Sequence, residues 1–312
     1  MIRDLRAGDA PEVYEFLRRD FPEEKQILGM RPEGFDRVIQ RVFRWDARLV
    51  LGLLRVFGRP IFRFFVVEVD GKLAATTLLT FAARAGYISL VAVDPAYRRR
   101  GFARLLLERC RQATVGRGRP YLALDVLESN APARALYDSL GYRPLRRQFH
   151  LVHDEPWRFG TGPVRVPGLR PFAREDAEPL AGIARAQRPP AVETVLPTYA
   201  SDIAGSEWVG RILQSESAAW VIDDGAGPIA WIAATSSPAT EAGHLSAPII
   251  GPAVTPDAGR SLVEAAGAWC AARRPPRISA MVPEENRCGR VALEAAGFHH
   301  AIASWTLYRP AE

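Results

Sequence analysis

Apolar spacing along the chain predicts the same run of elements twice. Residues 2–20, IRDLRAGDAPEVYEFLRRD, predict a short strand, a capping Asp9 and an amphipathic helix. Residues 169–186, LRPFAREDAEPLAGIARA, repeat that pattern, with Asp176 and Ala177 answering Asp9 and Ala10. VVEVDGKLAATTLLT predicts a hairpin turning at Asp70-Gly71, because both turn positions need the left-handed backbone that Asp and Gly tolerate. WVIDDGAGPIAWIAATS has the same order of strand, glycine turn and strand. A third echo is the firmest. SNAPARALYDSLGY (129–142) aligns without a gap to ENRCGRVALEAAGF (285–298), pairing Asn130 with Asn286, Arg134 with Arg290 and Gly141 with Gly297.

Three echoes in one order predict two tandem copies of a single domain, residues 1–154 and 169–312. The Gly- and Pro-rich stretch 155–168, EPWRFGTGPVRVPG, is the expected linker. Each copy mixes strands, helices and central hairpins, so the class is α/β with a mixed sheet flanked by helices. Segment 33–57 has no counterpart in the second copy. Phe35, Val38, Val42, Trp45, Leu49 and Leu53 fall at helical spacing there, with Arg37, Arg41, Arg44 and Arg48 opposite. The simplest reading is a helix with its stripe on the core; an acceptor-site lip or a membrane-surface contact are the alternatives.

Composition narrows the setting. An apolar fraction of 48% and a charged fraction of 24% suit a soluble globular protein. The net charge of +6 is uneven: residues 1–160 hold 28 basic against 19 acidic side chains (+9), and the remainder 13 against 16 (−3). An anionic ligand is therefore expected in the first half. Lys25 and Lys72 are the only lysines, which reflects genome composition more than function. Cys110, Cys270 and Cys288 have neither C-x-x-C nor His-linked metal spacing, so they predict buried thiols in a reducing compartment and no metal site. MIRDLRAGDA is charged from its third residue, unlike a secretory signal, and no window approaches the ~20 apolar residues of a spanning helix. A cytoplasmic protein is the expectation.

The chemistry concentrates at DPAYRRRGFARLLLERC (94–110), which follows the apolar run YISLVAV. A strand ending at Val93 and a helix opening after Gly101 place unpaired backbone N–H groups and the positive end of a helix dipole at one loop. A phosphate can accept several such bonds at once. Gly101 permits close backbone approach, Ala103 keeps the next turn small, and Arg98, Arg99, Arg100 and Arg104 supply charge suited to phosphate oxygens.

This region resembles the acetyl-CoA-binding core of the GNAT family of N-acetyltransferases. The resemblance rests on VAVDPAYRRRGFARLLLE followed by LDVLESNAPARALYDSLGY, and it covers most of residues 1–150. It implies that the strand at Val91, Ala92 and Val93 splays from its neighbour and hydrogen-bonds the pantetheine arm. It implies too that the loop Arg98-Arg99-Arg100-Gly101-Phe102-Ala103 wraps the pyrophosphate, that Asn130 helps hold the pantetheine, and that Tyr137 sits near the CoA sulfur. Each copy would then be a mainly antiparallel sheet flanked by helices.

Those residue types fit the reaction. An amine attacks a thioester only when neutral, so a base must accept its proton, and a phenol that stays protonated can serve the departing thiolate. Tyr137 follows Asn130 by seven residues, about two turns, so both can face one cofactor; a core tyrosine with an exposed hydroxyl is the alternative. Asp125, twelve residues before Tyr137, is the candidate base. Its spacing is similar to that of ribosomal-protein N-terminal acetyltransferases, where a glutamate is the proposed base. The shorter Asp here could equally be a structural carboxylate, and Glu128 and Glu68 are weaker candidates.

The second copy departs from this pattern. Val254-Thr255-Pro256 answers Val93-Asp94-Pro95, but Pro256 to Asn286 is 30 residues where Pro95 to Asn130 is 35. The missing five fall in the phosphate loop, and Leu293 stands in the place of Tyr137. A degenerate copy is expected, filling the place of a second subunit or shaping the acceptor site. The expected function is an acetyl-CoA-dependent N-acetyltransferase acting in the first copy on a primary amine of a small molecule, peptide or protein. A non-catalytic acyl-CoA-binding or regulatory module is the alternative. Nucleic-acid binding is not expected, since aromatic stacking platforms are lacking, and a monomer is consistent with the second copy replacing a partner.

Overall fold

A computed structural model describes residues 1–9, 11–13, 15, 19, 62–82, 84–160, 164, 166–205, 215–237 and 242–312. The amphipathic segment 33–57 and most of the helix expected after Asp9 lie outside the described residues.

In the first half, β1 (Ile2–Asp4), β2 (Phe62–Val69), β3 (Lys72–Phe81), β4 (Ala85–Val93), β5 (Tyr121–Leu127) and β6 (Arg143–His153) form in chain order. Helix α1 (Phe102–Val115) follows β4, and α2 (Ala131–Ser139) follows β5. Asp70 and Gly71, at φ 49° and 76°, turn the β2–β3 hairpin as expected. The second half runs β7 (Leu169–Pro171), α3 (Ala177–Ala186), α4 (Pro190–Val195), α5 (Ala200–Ala204), β8 (Glu216–Asp223), β9 (Pro228–Ser237), β10 (Ala242–Leu245) and β11 (Ile249–Ile250). It closes with α6 (Pro256–Ala271), β12 (Ile278–Pro283), α7 (Arg287–Ala295) and β13 (His299–Pro310).

The repeat extends to single side chains. Arg3 clamps Asp9 with two hydrogen bonds of 2.6 and 2.9 Å, and Arg170 clamps Asp176 with two of 2.8 Å. Each arginine also reaches a carboxylate in the hairpin, Glu68 in one copy and Asp223 in the other. The arginine bond is the main cause holding both Asp9 and Asp176 below the ordinary carboxylate range. Asp176 makes no side-chain bond to the helix that follows; it accepts from the Ala173 N–H behind it, as Asp9 accepts from Arg6.

The thirteen strands among the described residues join one sheet, in the order β1-β2-β3-β4-β5-β13-β6-β12-β10-β9-β8-β7, with β11 on β9. The order shows an exchange between the copies. The last strand of the chain, β13, pairs antiparallel with β5, and β6 pairs antiparallel with β12. The exchanged strands also pair with each other at the centre. Phe149 and Leu151 of β6 consequently join the core beneath α6 and α7, while Leu307 of β13 joins the core beneath α1. Burying each such side chain contributes roughly 1.5–3 kcal/mol, so each core draws stability from the other half of the chain. Arg111 and Arg309 reinforce the crossover, donating to the Ala311 and Leu140 carbonyls at 2.9 and 2.7 Å. Cys110 and Cys270 are buried, but Cys288 is exposed on the outer face of α7, contrary to the expected burial of all three.

Candidate active site

The site grows out of the parallel pair β4 and β5. Their register runs from Ala85↔Tyr121 to Ile88↔Leu124 and stops there. Beyond that point β4 keeps its partner β3 while its other edge, from Ser89 to Val93, is unpaired among the described strands. A bulge accompanies the parting. Three steps of β4, from Ser89 to Ala92, face two of β3, from Leu78 to Thr76, and Leu90 takes up the extra residue at φ 54°. Val91, Ala92 and Val93 thus form an open backbone edge, with Ala92 buried.

The loop continues from that edge. Asp94 accepts from Ala96 N–H at 2.8 Å and starts a single turn over Pro95–Tyr97. Arg99 at φ 64° and Gly101 at φ 84° then swing the chain into α1. Gly101 is the helix N-cap and brings no side-chain bond. The first intrahelical bond runs from Leu105 N–H to Gly101 C=O, so the N–H groups of Phe102, Ala103 and Arg104 point into the loop. A Cβ built on Gly101 meets nothing within 4 Å. Space and donors coincide.

The arginines are less uniform. Arg98 bonds the Val93 carbonyl at 3.1 Å, Arg104 bonds Ser139 at 3.0 Å, and Arg100 lies 5.3 Å from the Tyr97 ring centre. Arg98, Arg99, Arg100 and Arg104 are all exposed at the rim of the loop.

Asn130 and Tyr137 occupy the two ends of α2. Asn130 is exposed and caps the helix, its Oδ1 accepting from Ala133 N–H at 3.2 Å. Tyr137 is 6% exposed and packs edge-on to Tyr142. Burial pushes its hydroxyl up to about 12, so it stays a proton donor at neutral pH.

Asp125 is the first β5 residue beyond the last pair with β4. Its Oδ1 accepts from Gln148 Nε2 at 3.0 Å and from Thr306 Oγ1 at 2.7 Å. Tyr87 also faces it: burial, then the Asp125 charge and their hydrogen bond, push the Tyr87 hydroxyl well above its ordinary value. Gln148 comes from β6 and Thr306 from β13, so the strand exchange surrounds this carboxylate. Tyr87, Gln148 and Thr306 escaped the reading of the sequence. Alternation along YISLVAV marks Tyr87 as facing away from Ile88, but nothing local marks its partner. Glu128 is held below the ordinary carboxylate range by Arg147, at 2.6 Å, and Glu68 is tied to Arg3.

The second copy is closed at the matching places. Helix α6 begins at Pro256 itself, and Thr255 caps it by accepting from Ala258 N–H at 3.3 Å. Asn286 caps α7 through Oδ1 as Asn130 caps α2, but its Nδ2 also donates to the Pro248 carbonyl at 2.8 Å. That bond spans the gap where β12 parts from β10. Leu293 is fully buried where Tyr137 stands in the first copy.

The first copy thus has an open strand edge, an uncapped helix start and a buried phenol, and the second has none of the three among its described residues. Known proteins resemble the chain in part and in whole. Residues 10–142 match the acetyltransferase (GNAT) family model. The [ribosomal protein bS18]-alanine N-acetyltransferase of Escherichia coli K12 is 37% identical over 92 residues, which is 29% of this chain and 62% of that protein. A tandem GNAT protein from the clavulanic acid biosynthesis pathway superposes over 100% of this chain and 98% of its own, with TM-score 0.63 and 15% identity. A GCN5-related N-acetyltransferase from Sphaerobacter thermophilus does so over 100% and 96%, with TM-score 0.66 and 15% identity. Residues 10–142 are thus similar to the GNAT acetyltransferases, and the chain as a whole has the tandem GNAT fold.

Proposed function

We propose that the chain is an acetyl-CoA-dependent N-acetyltransferase whose transfer takes place in the first copy, residues 1–154. The observation that carries this reading is the contrast between the copies. Gly101 leaves the start of α1 uncapped beside an unpaired strand edge, whereas Thr255 caps α6 and Asn286 bridges the matching gap. The backbone of Val91–Val93 would hold the pantetheine arm, the N–H groups of Phe102, Ala103 and Arg104 the pyrophosphate, and Asn130 the arm near its sulfur end.

In the transfer, the neutral amine forms a C–N bond at the thioester carbonyl while the C–S bond breaks. Tyr137 donates its proton to the departing thiolate, and Asp125 is the candidate base for the proton the amine loses. Because the similar Escherichia coli protein is a [ribosomal protein bS18]-alanine N-acetyltransferase, a peptide amine is the first acceptor class to test. Residues 169–312 act as a scaffold, supplying β13 to the catalytic sheet.

Tyr137→Phe should lower turnover by roughly 10²–10⁴-fold while leaving CoA affinity intact. The wild-type rate should not fall as pH passes 10.0, the ordinary tyrosine value, because burial holds Tyr137 protonated to about 12. Steady-state rates across pH with a peptide amine library check both statements, and full activity in Tyr137→Phe removes it from the mechanism. Binding of CoA without turnover of any amine would favour the non-catalytic module instead.

A further inference from the structure

A cavity of about 570 Å³ lies where the second copy's β12 parts from β10, and it reaches across to Tyr87 and Arg146 of the first half. Its volume is that of a small-molecule site, about 300–1,000 Å³. It adjoins the candidate base, since Tyr87 and Gln148 in its lining both face Asp125, and Asn286 at its edge is already committed to Pro248.

Its charges are arranged unusually. Arg146 Nη1 stands 3.8 Å from Glu285 Oε1, beyond hydrogen-bond reach, and the two side chains are only 15% and 13% exposed. Arg146 Nε and Glu285 Oε1 are both buried with no hydrogen-bond partner among the described residues. A buried guanidinium and carboxylate normally satisfy each other or are costly to keep. A second guanidinium, Arg188, lines the same wall, held by Glu193, Thr198 and the Leu196 carbonyl through its Nη1. Burial, and next the positive charge of Arg146, lower Arg188 from its ordinary value, so the two cations sense each other across the cavity. Two cations and one unsatisfied carboxylate call for a ligand carrying both an acceptor and a donor charge.

We infer that this cavity binds a small zwitterion of amino-acid or dipeptide size, its carboxylate on Arg146 and Arg188 and its ammonium on Glu285. Met281 and Leu196 line the apolar part of the wall and would receive the side chain. The inference rests on this geometry alone and stands or falls independently of acetyl transfer.

Isothermal titration of the full chain with the twenty free L-amino acids and a set of glycyl dipeptides tests it. At least one member should bind. Its N-acetylated and decarboxylated forms should bind more weakly, each by about tenfold or more, the equivalent of ~1.4 kcal/mol. The double variant Arg146→Met/Glu285→Leu replaces the buried pair with apolar groups, which folds tend to accept, and should melt cooperatively yet lose the ligand. Absence of binding across the panel overturns the proposal, as does equal binding of the neutralised analogues or retention by the folded double variant. If that variant does not fold, the wild-type comparison of zwitterion with analogues decides.

Discussion

Gly101 combines two properties that a single substitution can separate. Its φ of 84° favours glycine, and the space where its Cβ would lie is empty. Asparagine tolerates the left-handed backbone, so Gly101→Asn should keep the fold while filling the approach to the uncapped N–H groups. We expect CoA affinity to fall by at least ~tenfold, about 1.4 kcal/mol, in titration calorimetry. Arg99→Gln removes one exposed charge and should cost only ~2–5-fold. The reverse ranking would contradict a backbone cradle. These positions were legible in the sequence because the loop's chemistry is local: arginines, a glycine and a small residue at fixed spacing before a helix. Leu90 was not, since its positive φ answers a mismatch with β3 that no property of leucine announces. Asp125 was legible as a residue but not in its surroundings, because Gln148 and Thr306 reach it from strands 23 and 181 positions away.

Among the elements, the strands and hairpins follow their apolar alternation closely, and the α1 and α2 boundaries follow Gly101 and Asn130. The exchange of β6 and β13 does not follow from any pattern. RPLRRQFHLVH and HHAIASWTLYRP both alternate, and either could sit beside β5 or β12 with an apolar face inward. What selects the partner is tertiary: β13 enters beside β5 with Leu307 in the first core, and β6 enters beside β12 with Phe149 and Leu151 in the second. Residues 1–154 expressed alone should therefore present the bare edge of β5 and associate or precipitate. Co-expression with residues 155–312 should return a soluble complex in light-scattering chromatography. A monodisperse 1–154 monomer that binds CoA would show that β13 is dispensable.

Over the whole molecule, one run of elements occurs twice, and the open strand edge with an uncapped helix start occurs once among the described residues. Both copies retain the arginine–aspartate clamp, the glycine hairpin and the asparagine-capped helix, features that stabilise the fold itself. The features that differ are those the proposed transfer would use: the loop before the helix, the tyrosine, and a charge of +9 in residues 1–160 against −3 beyond. Divergence was legible from the shortened loop and Leu293, whereas the cavity between the copies requires the three-dimensional meeting of Arg146 and Glu285. The central claim is that CoA binds the first copy and not the second. Hydrogen exchange with and without CoA reads both copies in one experiment. The account predicts slowed exchange at residues 91–93 and 99–104 with residues 254–262 unchanged. Protection of the second segment, or none in the first, would contradict it.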